Sequence, residues 1–214
     1  VFSFRSTNHA RPAPTRFFAL VDGIFAIATT LLVLELHVPE EIAPGRLGHE
    51  LGALGFTFGA YAVGFLQTFG GWSVSHRLSA RLRGVDQWTV LVLGIGLAFV
   101  SLIPFSTATL AKSIDDGENF RIAMALVTGF GFFSTLSLVV ASYHAWSAGL
   151  FIETFTEEHF TWLSRLMIAA LVGFAAAFAV SFVNAWVALV PTVLGYAATL
   201  FPLRMDEFPV AEGG

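Results

Sequence analysis

The sequence predicts an all-α integral membrane protein with six membrane-spanning helices. Three observations carry that prediction: the composition, the lengths of the apolar runs, and the placement of Lys and Arg. Of 214 residues, 56% are hydrophobic and only 12% are charged. Mean hydropathy is +0.75. A soluble domain of this size could not hide so much apolar surface in one core. The charged fraction is about half the ~25% usual for soluble chains.

The apolar runs are too long for barrel strands and near the roughly 20 residues that a bilayer-spanning helix needs. They fall at 16–36, 50–75, 87–111, 120–148, 161–183 and 185–203. The first is not a signal peptide by its pattern. It exceeds an ordinary apolar signal core, it contains Asp22, and no A-x-A site follows it. Pro39 stops it. The last two runs are separated by little more than Asn184, which predicts a tight helical hairpin.

Lys and Arg set the orientation. Arg5, Arg11, Arg16, Arg77, Arg81, Arg83, Arg165 and Arg204 fall on one side, and Arg46, Lys112 and Arg121 on the other. Eight against three puts both termini in the cytoplasm. The expected organisation is an N-terminal tail over 1–15, a six-helix domain over 16–203 and a C-terminal tail over 204–214.

Several functions lack their motifs. There is no cysteine, so no disulfide, thiolate metal site or cysteine nucleophile. There is no phosphate-binding loop, no dinucleotide fingerprint and no H-E-x-x-H spacing. No T-V-G-Y-G filter occurs, and no basic stripe suggests nucleic acid. No enzyme activity, metal or cofactor is expected.

The informative run is the first, RFFALVDGIFAIATTLLVLEL, Arg16 to Leu36. On a helix advancing about 100° per residue, with Ile27 at zero, Leu31 falls near about +40° and Leu34 near about -20°. These three form one narrow apolar stripe, and Thr30 lies beside it near about -60°. Asp22 falls near about -140°, on almost the opposite face. An intramembrane carboxylate is costly and is kept for a function or a network. Asp22 is expected to face neighbouring helices or the cytoplasmic interface, paired with Arg16 or His76. The stripe alone also fits ordinary lipid-facing or core leucines.

Trp72 and His76 are four apart and share a helix face at the cytoplasmic end of the second run. They also fit an interfacial Trp beside a solvated His. Pro104 interrupts the third run and predicts a kink, with Ser106 and Thr107 placed to satisfy freed backbone groups. His37 with Glu40 and Glu41 forms an acidic outer loop, His144 has no carboxylate near it in sequence, and Glu157-Glu158-His159 reads as a solvated loop. On these residues alone the chain is a channel, a small secondary transporter or proton-coupled carrier using Asp22, or a non-transporting scaffold.

Taken together, the motifs resemble the bacterial branch of the lysosomal potassium channels called transmembrane protein 175. That family has an arginine, a Phe-Ser-Asp-Gly core and an apolar run on its first helix. Arg16, Asp22, Gly23 and the stretch from Ile24 to Leu34 match it. Trp72 and His76 resemble its second-helix pair. Ile103-Pro104-Phe105-Ser106-Thr107 resembles its third-helix Leu-Pro-Phe-x-Thr, and Asn184-Ala185-Trp186 its late turn. Leu20 and Val21 replace the core Phe and Ser, so the serine hydroxyl is lost.

The resemblance implies a homotetramer in the bacterial plasma membrane, with first helices lining a central pore for monovalent cations, K⁺ above all. It implies an apolar constriction at Ile27, Leu31 and Leu34, with Thr30 adjacent. It implies that Arg16, Asp22, Trp72 and His76 hold the pore helix. Such a ring would block ions by dewetting when closed and would select K⁺ only modestly when open.

Overall fold

The computed structural model describes residues 14–37 and 42–200. Among the described residues there are eight α-helices: α1 (Pro14–Val33), α2 (Leu47–Ala53), α3 (Gly55–Ser79), α4 (Gln87–Ser101), α5 (Ile103–Ala111), α6 (Gly117–Ser147), α7 (Glu157–Ser181) and α8 (Ala185–Leu200). The expected end of the last run at 203, both tails, and Glu40 and Glu41 lie outside the described residues.

Among the described residues, four stretches are long and apolar enough to cross a membrane: 15–33, 87–111, 117–147 and 157–181. A fifth arises if α2 and α3, bent by 50° at Leu54, count as one span. The apolar part of α8, Ala185–Tyr196, is shorter.

Four of the eight helix starts are capped by a local side chain. Asp86 accepts the Thr89 N–H at 2.8 Å and caps α4. Asp116 accepts the Glu118 and Asn119 N–H groups and caps α6. Asn184 accepts from Trp186 and Val187 and caps α8, which makes the α7–α8 turn the expected tight hairpin. Each acceptor satisfies backbone donors that have no partner inside their own helix. Glu157 and Glu158 occupy the first turn of α7 rather than a loop, and His159 forms a reciprocal capping box with Thr156. The acidic pair there complements the positive end of the helix dipole, a reason for helix that a reading by polarity overlooks.

Pro104 also differs from expectation. The third run breaks at Leu102, between α4 and α5, and Pro104 sits in the first turn of α5. There its missing N–H has no intrahelical acceptor to serve. Ser106 donates to the Ile103 carbonyl at 2.9 Å, but Thr107 Oγ1 is buried without a partner among the described residues.

Two loops on one face of the bundle are clasped together. Arg83 N–H donates to the Leu150 carbonyl at 2.9 Å and Ile152 N–H to the Arg81 carbonyl at 3.1 Å, across an antiparallel bridge of Leu82 and Phe151. Gly149, at φ +61°, ends α6 in the left-handed conformation that lets the chain turn into that bridge. Leu82, Val85, Phe151 and Phe155 close the core over α3, α6 and α7.

Inside the bundle, small residues let helices approach. At Gly64 of α3, an added Cβ would lie 2.9 Å from Leu32 Cδ2 on α1 and 3.1 Å from Thr107 Cγ2 on α5, and closer still to Thr107 Oγ1. Three helices meet at that glycine.

Candidate functional site

The first helix is the least covered of the long spans. Only 22% of its span is buried within the chain, against 50% for 87–111 and for 117–147. Its buried residues are Val21, Phe25, Ala28 and Leu32, spaced i, i+4, i+7, i+11, and they pack on Leu97, Val100 and Ile103 of α4 and α5. This is one face of a regular helix. The opposite face is apolar and open: Ile27 is 60% exposed, Leu31 41% and Leu34 62%. Thr30 is exposed beside them, and its hydroxyl donates back to the Ile27 carbonyl at 2.9 Å.

Leu34 lies one residue past the end of α1. Its N–H donates to the Leu31 carbonyl in a tighter turn, so the uniform helical phase applied to the sequence stops at Val33. It nevertheless stays exposed together with Ile27 and Leu31.

Asp22 sits on the flank of α1, exposed rather than turned into the bundle. Its Oδ1 accepts the Trp72 indole N–H at 2.9 Å. Trp72 in turn stacks on His76, with ring centroids 5.1 Å apart at 24°. The side chain that reaches Asp22 is therefore the Trp, with His76 behind it. Arg16 is exposed one and a half turns before Asp22 on the same helix.

The sequence reading missed how far this arrangement extends. Tyr61, Phe65, Phe69, Trp72 and His76 form a continuous aromatic column along α3, each ring within 6.0 Å of the next. Spacings of four, four, three and four place all five on one helix face, so the signal was present in the sequence. Tyr61, Phe65 and Trp72 pack against the buried face of α1.

A second polar pair was missed because its members are far apart in sequence. His144 Nε2 on α6 lies 2.7 Å from Asp86 Oδ2, the cap of α4. Partial burial pushes the Asp86 carboxyl up. The hydrogen bonds from His144 and Thr89, with the attraction to His144, outweigh that and hold it at about 2, below its ordinary 3.8. Glu35, just beyond α1, pairs with Lys112 at 3.8 Å. Among the described residues no cluster of His, Cys, Asp or Glu could hold a metal ion.

The comparisons agree with this architecture. A family model described as endosomal/lysosomal potassium channel TMEM175 matches residues 16–104, from Arg16 through Pro104. A Streptomyces collinus protein named a potassium channel is 35% identical over 111 residues, covering 52% of this chain and 54% of that protein's length. A Chamaesiphon minutus protein, also named a potassium channel, is 28% identical over 196 residues, covering 89% and 94%. The mouse endosomal/lysosomal proton channel TMEM175 is 29% identical over 192 residues, covering 78% of this chain but only 37% of the mouse protein. The chain thus spans about half the length of the Streptomyces relative. The crystal structure of a lysosomal potassium-selective channel TMEM175 homolog from Chamaesiphon minutus superposes with a TM-score of 0.76 at 25% identity, covering 90% of this chain and 98% of that one. Sequence over residues 16–104, and fold along nearly the whole length, point the same way: the chain is similar to the TMEM175 family.

Proposed function

We propose that this chain is one subunit of a homotetrameric, modestly potassium-selective cation channel of the plasma membrane. Its first helices line the pore, and Ile27, Leu31 and Leu34, with Thr30 adjacent, form the constriction. The observation that carries this reading is the two-sided character of α1: one face seated on the subunit, the other apolar and uncovered. Four such faces around an axis make a narrow apolar ring that excludes water when closed. An ion passing it sheds part of its hydration, which costs K⁺ less than Na⁺, and no carbonyl ring is needed.

In this reading six spans form each subunit, with α2–α3 and α4–α5 each counted once and α8 as the sixth. Both termini lie in the cytoplasm, following the Lys and Arg bias. The Asp22–Trp72 hydrogen bond and the His76 stack hold α1 against α3 near its cytoplasmic end. The carboxylate then acts as an anchor for the pore helix rather than as a binding site in the ion path. The matched names favour potassium for the bacterial relatives and protons for the mouse one.

The test is ion flux from liposomes containing the purified protein. Potassium should move down its gradient with no coupled ion, and Leu31→Ser should raise leak or reduce discrimination between K⁺ and Na⁺. Saturable exchange that requires a proton gradient and is abolished by Asp22→Asn would instead establish a carrier.

A further inference from the structure

Two adjoining cavities lie inside the subunit, of about 50 Å³ and about 40 Å³. They share Gln67, Gly71, Ser134, Thr135 and Leu138 as walls. The first is closed by Val21 and Phe25 of α1 and the second by Met167 of α7 and Phe174. Both lie at mid-height, because Gln67 stands in the middle of the 25 residues of α3.

Gln67 is 4% exposed. Its Nε2 donates to the Val127 carbonyl at 3.2 Å, which fixes the orientation of the amide. Its Oε1 is buried and accepts no hydrogen bond among the described residues. Around it, Ser134 donates to the Gly131 carbonyl and Ser137 to the Val92 carbonyl, so these hydroxyls present their oxygens as acceptors. Ser75 and Thr135 add further hydroxyls to the first cavity. Gly131 leaves the room: a Cβ there would lie 2.9 Å from Gln67 Nε2.

We infer that the paired cavities are a binding site for a small cluster of water molecules, anchored on the Gln67 amide oxygen. An unmet amide acceptor in a low-dielectric interior is costly, and no donor among the described residues reaches this one. A water needs two to four polar partners and at least about 10–15 Å³ of room for a water-sized sphere, which each cavity exceeds. A lipid tail or an apolar gas would fill the space and leave the oxygen unpaired. Water therefore lies behind the seated face of α1, opposite the Ile27 and Leu31 side of the same helix. This assignment rests on the interior geometry alone and does not depend on the channel reading.

The three methionines of the chain provide the test. Met167 is 2% exposed and lines the second cavity, whereas Met124 is 0% exposed and lines neither. The full chain in lipid nanodiscs is equilibrated in ¹⁸O-water and exposed to millisecond X-ray pulses, which make hydroxyl radicals from bound water in place. Met167 should take up the heavy oxygen several-fold faster than Met124. Gln67→Leu should bring Met167 down to the Met124 rate, and Thr135→Val provides the same comparison if the leucine variant does not assemble. Equal rates for the two methionines in the unaltered protein overturn the proposal. So does a fast Met167 that neither substitution slows.

Discussion

Replacing Gly64 by alanine sets a methyl group where α1, α3 and α5 meet. The new carbon would lie 2.9 Å from Leu32 Cδ2 and 3.1 Å from Thr107 Cγ2, with Thr107 Oγ1 nearer still. Neither neighbour has room to withdraw, since Leu32 is 0% and Thr107 3% exposed, and a β-branched side chain has few rotamers to try. Overpacking of this kind costs about 1–3 kcal/mol, and three close atoms argue for the upper end. Alanine regains about 1 kcal/mol of helix propensity over glycine, leaving a net loss of about 2 kcal/mol. For a chain of this length that lowers the melting temperature by about 4–8 °C. The assay is thermal unfolding of the purified protein followed by tryptophan fluorescence. Thr107→Ala in the same chain removes both Thr107 atoms and should restore most of the loss, because its buried hydroxyl has no partner among the described residues to forfeit. A G64A protein that melts within about 1 °C of the parent refutes the close-approach argument, as does an undiminished loss in the T107A background.

Other predictions address α1 and the Asp86–His144 pair. Trp72→Phe keeps the ring column but removes the donor to Asp22; it should lower stability by about 1 kcal/mol and alter gating in single-channel records, with K⁺ over Na⁺ preference retained. A change confined to ion preference would place Asp22 in the ion path. Leu34→Ser, past the end of α1, should raise leak less than Leu31→Ser, as measured by liposome K⁺ flux; the reverse ranking would move the constriction to the outer mouth. The Asp86 carboxyl is held below its ordinary 3.8, at about 2, so folding gains stability from it above about pH 4 and loses that gain as pH falls toward about 2. Melting temperatures of Asp86→Asn should therefore fall less steeply than those of the parent between pH 4 and pH 2, and parallel curves would count against the His144 pairing.

Much of this molecule is legible along the chain because the bilayer leaves few options. Backbone groups in hydrocarbon must be satisfied within their own segment, so long apolar runs read directly as helices. The stripe on α1 was legible for the same reason: periodicity alone separates Ile27 and Leu31 from Val21, Phe25, Ala28 and Leu32. What failed to show was anything set by tertiary approach. Asp22 could be given a partner only from sequence neighbours and family pattern, and an indole N–H was overlooked beside an imidazole and a guanidinium. Asp86 and His144 are 58 residues apart and meet only because α4 and α6 pack together. The break at Leu102 was read as a kink at Pro104, since a proline inside an apolar run looks the same whether it bends one helix or opens the next. Gly64 and Gly131 looked like ordinary membrane glycines until the atoms facing them were known.

The clasp between the two loops has a mechanical consequence. Cross-linking the α3–α4 connection to the α6–α7 connection joins four helices at one end into a single plate, with Leu82, Val85, Phe151 and Phe155 as its filler. Along the chain, α1 is joined to that plate only through residues 34–54, which include α2. Load applied to α1 is thus carried by side-chain seats and the Trp72 hydrogen bond, not by the plate's own backbone. The clasp braces α3, α4, α6 and α7 against one another and leaves α1 outside the braced set.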